Sequence, residues 1–163
     1  MRIQIKIPVL DALERRQRER TTLREVNTMG TITGSIEDRE EIRELYANYA
    51  HTIDKGCYDE WLECFTEDGV FESPYFGKHS GREALRRFTA VYKDSLRGAK
   101  PFHQMTNVTF KVDGDEASGA CYLTYYHCKD GKAVFSAAAY YTDKLRRIEG
   151  LWRFDSRKVS SVN

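Results

Sequence analysis

The segment 102–128, FHQMTNVTFKVDGDEASGACYLTYYHC, decides the fold class. Residues 102–112 alternate apolar and polar side chains, the period of a half-buried strand. Asp113-Gly114 is a hairpin signal, because glycine enters the positive-φ positions of a tight turn without strain. Residues 116–128 then read as a longer strand rich in aromatic side chains. Lys129-Asp130-Gly131 turns the chain into a third strand over 132–145, and Glu149-Gly150 turns it into a fourth over 151–159. Long consecutive strands joined by tight turns form an antiparallel meander.

Upstream the period becomes helical. Ser35-Ile36-Glu37-Asp38 is a capping-box-like entry, with a hydroxyl for the backbone N–H three residues on and a carboxylate in the positive first turn. Ile42, Leu45, Tyr46, Tyr49, Ala50 and Ile53 recur at three- and four-residue steps, so one helix face is buried. Lys55-Gly56 ends that helix. A short second helix places Trp61, Leu62 and Phe65 inward, residues 66–69 turn, 70–73 form a short strand, and 74–80 a loop. A third helix over 81–93 carries Ala84, Leu85, Phe88 and Val91 at helical spacing. The fold class is α+β: a curved antiparallel sheet with three helices on one face, the first helix lidding the space between.

Residues 1–33 are different in kind. Ile3, Ile5 and Ile7 alternate with polar residues until Pro8, and Leu10, Leu13 and Leu23 are too sparse to make a stripe in the charged run that follows. Seven basic and four acidic side chains fall in this stretch. The expected organisation is an N-terminal extension over 1–33, a mobile arm or an oligomer contact, followed by one domain over 34–163. The whole chain of 163 residues balances 26 basic against 25 acidic side chains. Such a balance creates no field for a polyanion, so nucleic acid and membrane surfaces are not expected as partners. No apolar run approaches the roughly 18 residues of a membrane span, and the first residues lack the apolar core of a secretory signal. Cys57, Cys64, Cys121 and Cys128 form no C-x-x-C pair, and reduced thiols in a cytoplasmic protein are expected.

Three residues carry candidate chemistry. Asp54 ends the first helix beside the inward Tyr49 and Ile53. His103, Met105 and Asn107 share a strand face at even spacing. Arg157 follows Trp152 and Phe154 in the last strand. Singly, each has an ordinary reading: a solvated helix-end acid, a satisfied histidine, an exposed arginine. His51 and His79 read as surface residues, and His127 is free to face either side of its strand. Phosphate-binding, zinc-protease and serine-hydrolase motifs are missing from the sequence.

Together the residues form an ordered set. Tyr46, Tyr49 and Asp54 close the first helix. Phe65-Thr66-Glu67-Asp68-Gly69-Val70-Phe71 and Gly81-Arg82-Glu83-Ala84-Leu85 follow, then His103 with Thr106-Asn107, then Val112-Asp113-Gly114-Asp115-Glu116-Ala117, and last Gly150-Leu151-Trp152-Arg153-Phe154. Over about residues 35–160 this resembles the SnoaL-like branch of the NTF2-like superfamily, nearest the scytalone dehydratase, bile-acid dehydratase and hexachlorocyclohexane dehydrochlorinase group. The resemblance implies a cystatin-like, cone-shaped barrel and a cofactor-independent lyase, dehydratase-like, acting on a small hydrophobic or polycyclic molecule. It implies an Asp54–His103 pair as base, with Arg157 and Tyr49 as further catalytic residues and no metal. His127 and Ser136 do not match the additional polar residues of the scytalone enzyme. The resemblance leaves two alternatives open, a ketosteroid-isomerase-like isomerase or polyketide cyclase, and a non-catalytic binding or assembly subunit. It also implies a homo-oligomer, a trimer or a dimer.

The chemistry fits these residue types. Histidine titrates near neutral pH and so serves as a base. A carboxylate on one ring nitrogen fixes the tautomer and stabilises the imidazolium. Tyr46 or Tyr49 supplies a hydrogen bond to a carbonyl or enolate, and Arg157 holds an anion. Tyr46, Phe71, Phe88, Asn107, Tyr126 and Tyr140 are the expected substrate-binding residues.

Overall fold

The structure, a computed structural model, describes residues 32–162. The extension expected over 1–33 lies almost wholly outside the described residues. Helix α1 spans Ile36–Lys55, α2 Tyr58–Glu63 and α3 Arg82–Ser95. The strands are β1 Phe65–Ser73, β2 Gly77–Ser80, β3 Lys100–Asp113, β4 Glu116–Lys129, β5 Lys132–Ile148 and β6 Leu151–Ser161. They form one open six-stranded sheet in the order β2-β1-β6-β5-β4-β3, curved around the helices. No helix among the described residues is long and apolar enough to cross a membrane.

Three details depart from the sequence reading, the first being that the turn expected over 66–69 lies within β1, which starts at Phe65. The sheet is not wholly antiparallel: β1 lies parallel to β6, because the meander brings the last strand back beside the first. The expected loop over 74–80 contains strand β2, which pairs with β1 from Val70↔Ser80 to Ser73↔Gly77.

The entry to α1 forms as the sequence predicts. Ser35 Oγ accepts from the Asp38 backbone N–H at 3.0 Å, and the Asp38 carboxylate accepts from the Ser35 N–H at 3.2 Å. Asp38 also accepts from Trp152 Nε1 at 3.0 Å and Arg147 Nη1 at 2.5 Å, tying this helix end to the β5–β6 hairpin. At the other end Gly56 adopts φ 73°, the left-handed conformation that closes a helix, one turn beyond Ile53. That stop leaves Asp54 in the last turn of α1, over the start of β3.

The core is aromatic. Tyr46, Tyr49, Trp61, Phe65, Phe71, Phe88, Tyr92, Tyr141 and Phe154 are buried and pack edge-on or tilted against one another. Inside it, Arg157 and Asp143 are wholly buried and joined by two bonds of 3.0 Å, from Nε and Nη2 to the two carboxylate oxygens. Tyr46 donates to the same carboxylate at 2.7 Å. The Arg157 guanidinium lies 4.1–4.8 Å from the ring centres of Tyr46, Tyr49, Tyr141 and Phe154. A pair taken out of water needs such geometry to recover its desolvation cost.

Candidate active site

The α1–β3 junction brings Asp54 and His103 together across 49 residues of sequence. His103 Nδ1 is 2.5 Å from Asp54 Oδ1, and the His103 backbone N–H donates to Asp54 Oδ2 at 2.8 Å. Both carboxylate oxygens are therefore committed to one residue, which fixes the ring and assigns the Nδ1 proton to the Asp54 side. Their side chains are only 9% and 17% exposed. His103 Nε2 has no hydrogen-bond partner among the described residues, leaving one lone pair for chemistry.

Three tyrosines surround that imidazole. The rings of Tyr125, Tyr92 and Tyr49 lie 4.7, 6.4 and 6.5 Å from it, centre to centre. Tyr92 Oη and Tyr125 Oη are 3.1 Å apart, and Tyr125 Oη is 3.1 Å from His127 Nε2. Burial pushes the Tyr92 and Tyr125 hydroxyls above their ordinary pKa, and burial pushes Tyr49 up to about 12, so all three stay protonated donors at neutral pH. A groove of about 580 Å³ runs between α1 and β3, lined among others by Ala47, Ala50, Asp54, His103, Met105 and Val108. That volume lies in the range of small-molecule sites.

The other expected residues divide. Tyr49 lies between the imidazole and the Arg157 guanidinium, touching both. Arg157 itself makes no hydrogen bond to Asp54 or His103. Burial works against its charge, but the Asp143 carboxylate together with Tyr49 and Tyr141 outweighs this and holds its pKa above the ordinary value. Tyr46 lines the groove while its hydroxyl is committed to Asp143. Phe71 and Phe88 stack on each other at 4.7 Å within the core, behind Tyr92.

Asn107, Tyr126 and Tyr140 are not on the site face. Asn107 is exposed at φ 55°, in an irregularity between Thr106 and Thr109 that breaks the even-spacing rule. Tyr126 packs on the outer face against Phe102 and Phe135, and Tyr140, 43% exposed, packs there against Tyr122. Asp143 and Tyr125 were missed by the sequence reading. Asp143 had a signal: it continues the inward alternation of Ala139, Tyr141 and Leu145, where a charge demands a buried partner. Among the described residues no three His, Cys, Asp or Glu side chains converge as a metal site.

A family model described as a SnoaL-like domain matches residues 34–158, and the chain belongs to that family. A Mycobacterium tuberculosis protein of unknown function is 28% identical, with a TM-score of 0.71 over 80% of this chain and 77% of that one. An NTF2-like protein with a cystatin-like fold from Novosphingobium aromaticivorans is also 28% identical, with a TM-score of 0.72 over 78% of this chain and 84% of that one. LinA, a dehydrochlorinase, shares the fold at 19% identity, with a TM-score of 0.69 over 78% of this chain and 88% of that one. The chain matches no curated protein at a significant level.

Proposed function

We propose that the protein is a cofactor-independent lyase that removes a proton and an adjacent leaving group from a small hydrophobic molecule. The observation that supports this reading is the Asp54–His103 bond, with Nε2 unpartnered and the rings of Tyr125 and Tyr92 beside the imidazole. His103 Nε2 takes the carbon-bound proton as the carbon–leaving-group bond breaks. Asp54 holds the Nδ1 proton in place and stabilises the imidazolium that forms. Tyr125 and Tyr92 face the developing negative charge as donors. Arg157 acts at one remove, by fixing Tyr49 and Tyr46 through the aromatic cage.

The isomerase and cyclase alternative needs a carboxylate free to shuttle the proton. Asp54 has both oxygens occupied, which favours histidine as the base. The base is tested with 5-nitrobenzisoxazole, a generic probe whose carbon-bound proton is abstracted as its N–O bond breaks. The wild type is expected to accelerate that reaction above buffer. His103→Ala lowers the rate by about 100-fold and Asp54→Asn by about tenfold or more, with circular dichroism unchanged. A folded wild type no faster than buffer leaves the binding-subunit reading in its place. Retained activity in His103→Ala with loss in Asp54→Asn supports the isomerase-like one.

A further inference from the structure

A second histidine stands near the pair, and the mechanism above does not use it. His127 lies two residues after Tyr125 in β4, on the same strand face. Its Nε2 is 3.1 Å from Tyr125 Oη, and its Nδ1 is 3.3 Å from Ser136 Oγ in β5. Tyr125 Oη in turn meets Tyr92 Oη at 3.1 Å. Tyr92 is buried, Tyr125 and His127 are half-buried, and Ser136 is exposed. The four side chains make an unbroken polar path from beside the His103 imidazole to the surface.

We propose that this path is a proton relay in which Tyr125 is the acid that protonates the leaving group and His127 recharges it. The inference rests on the elimination reading above. His103 Nε2 takes the proton from carbon, and that C–H electron pair becomes the new π bond. The bond to the leaving oxygen breaks, and its electron pair takes the Tyr125 hydroxyl proton. Tyr125 Oη takes a proton from the Nε2–H of protonated His127, and His127 regains one from water at its exposed edge. His103 returns its proton to solvent, so the net products are an alkene and a protonated leaving group. Tyr125 touches the substrate; His127 acts through it. The division of labour also has a chemical reason. Burial keeps the Tyr125 hydroxyl protonated, so it donates fully only when its own negative charge is cancelled by a neighbour's proton. His103, held by Asp54, faces the tyrosine ring and not its hydroxyl hydrogen bond.

Two probes separate base from acid. The phenolate expelled from 5-nitrobenzisoxazole is stabilised by its nitro group and needs little acid help; that from unsubstituted benzisoxazole needs more. His127→Gln keeps a side-chain N–H for Tyr125 but cannot titrate. It is expected to slow benzisoxazole by about tenfold while changing 5-nitrobenzisoxazole less than about twofold. It also removes the falling high-pH limb of the wild-type benzisoxazole profile. Tyr125→Phe slows both probes, benzisoxazole the more, because its hydroxyl also faces the developing charge, and Ser136→Ala serves as a second, surface variant that leaves the fold intact and shifts that limb. Equal slowing of both probes by His127→Gln, or an unaltered pH limb, overturns the relay while leaving the base assignment standing. No dependence on His103 with either probe overturns the elimination reading itself.

Discussion

At the scale of residues, Asp54 does two jobs with one carboxylate. It orients the His103 ring and caps the backbone N–H of the same residue. Asparagine at 54 retains a backbone acceptor but not the charge that stabilises an imidazolium, so Asp54→Asn is expected to impair turnover more than stability. Gly119 shows how tight the neighbouring network is. A β-carbon there runs into the Tyr46 hydroxyl that donates to Asp143. Gly119→Ala therefore breaks that bond, or displaces β4, at a cost of about 1–3 kcal/mol in urea unfolding. An unchanged midpoint would mean that the strand absorbs the methyl elsewhere.

At the scale of elements, Asp38 holds the start of α1 against the β5–β6 hairpin. The Trp152 indole N–H, followed by the Ser35 backbone and Arg147, keeps its carboxyl below the ordinary pKa. A depressed native pKa adds stability above the unfolded-state value of about 4 and loses it as pH falls through the native one. The stability gap between wild type and Asp38→Asn is thus expected to be largest at pH 7 and to shrink below about pH 4, as read by urea unfolding at each pH. A gap that widens in acid contradicts this. Helix limits and strand alternation were legible because caps and period are local: Ser35 and Gly56 bound α1, and Asp113-Gly114 turns β3 into β4. Register was not local. Pairing counted back from that turn sets His103 opposite Tyr126, but the irregularity after Thr106 slips it by one residue, so Tyr125 faces His103 and Tyr126 turns outward. The same slip removed Asn107 from the site face. Asp54, His103 and Tyr49 could be named from the sequence; Tyr125, whose ring lies 4.7 Å from the imidazole, could not.

At the scale of the molecule, the buried Arg157–Asp143 pair joins α1, β4, β5 and β6 at one point through Tyr46, Cys121, Asp143 and Phe154. Arg157→Ala leaves a buried carboxylate unpaired and is expected to cost about 3–5 kcal/mol, whereas Arg157→Met with Asp143→Leu recovers most of it. Full stability in Arg157→Ala would mean that water enters and solvates Asp143. The self-association expected from the sequence has a suitable surface on the outside of the sheet. Phe102, Tyr122, Tyr126, Phe135 and Tyr140 lie there as exposed or half-buried aromatic rings packed in pairs, an apolar surface that a second copy covers. Sedimentation should find a species heavier than one chain, returned to a single chain by Tyr140→Glu; a monomeric wild type contradicts it.

The central claim is that His103 removes a proton from carbon with Asp54 behind it. The most direct measurement is the rate on 5-nitrobenzisoxazole deuterated at the reacting carbon, in wild type and in His103→Ala. The account predicts a rate well above buffer and a clear primary isotope effect in the wild type, both lost with the imidazole. A wild-type rate that ignores deuterium and survives His103→Ala would contradict it.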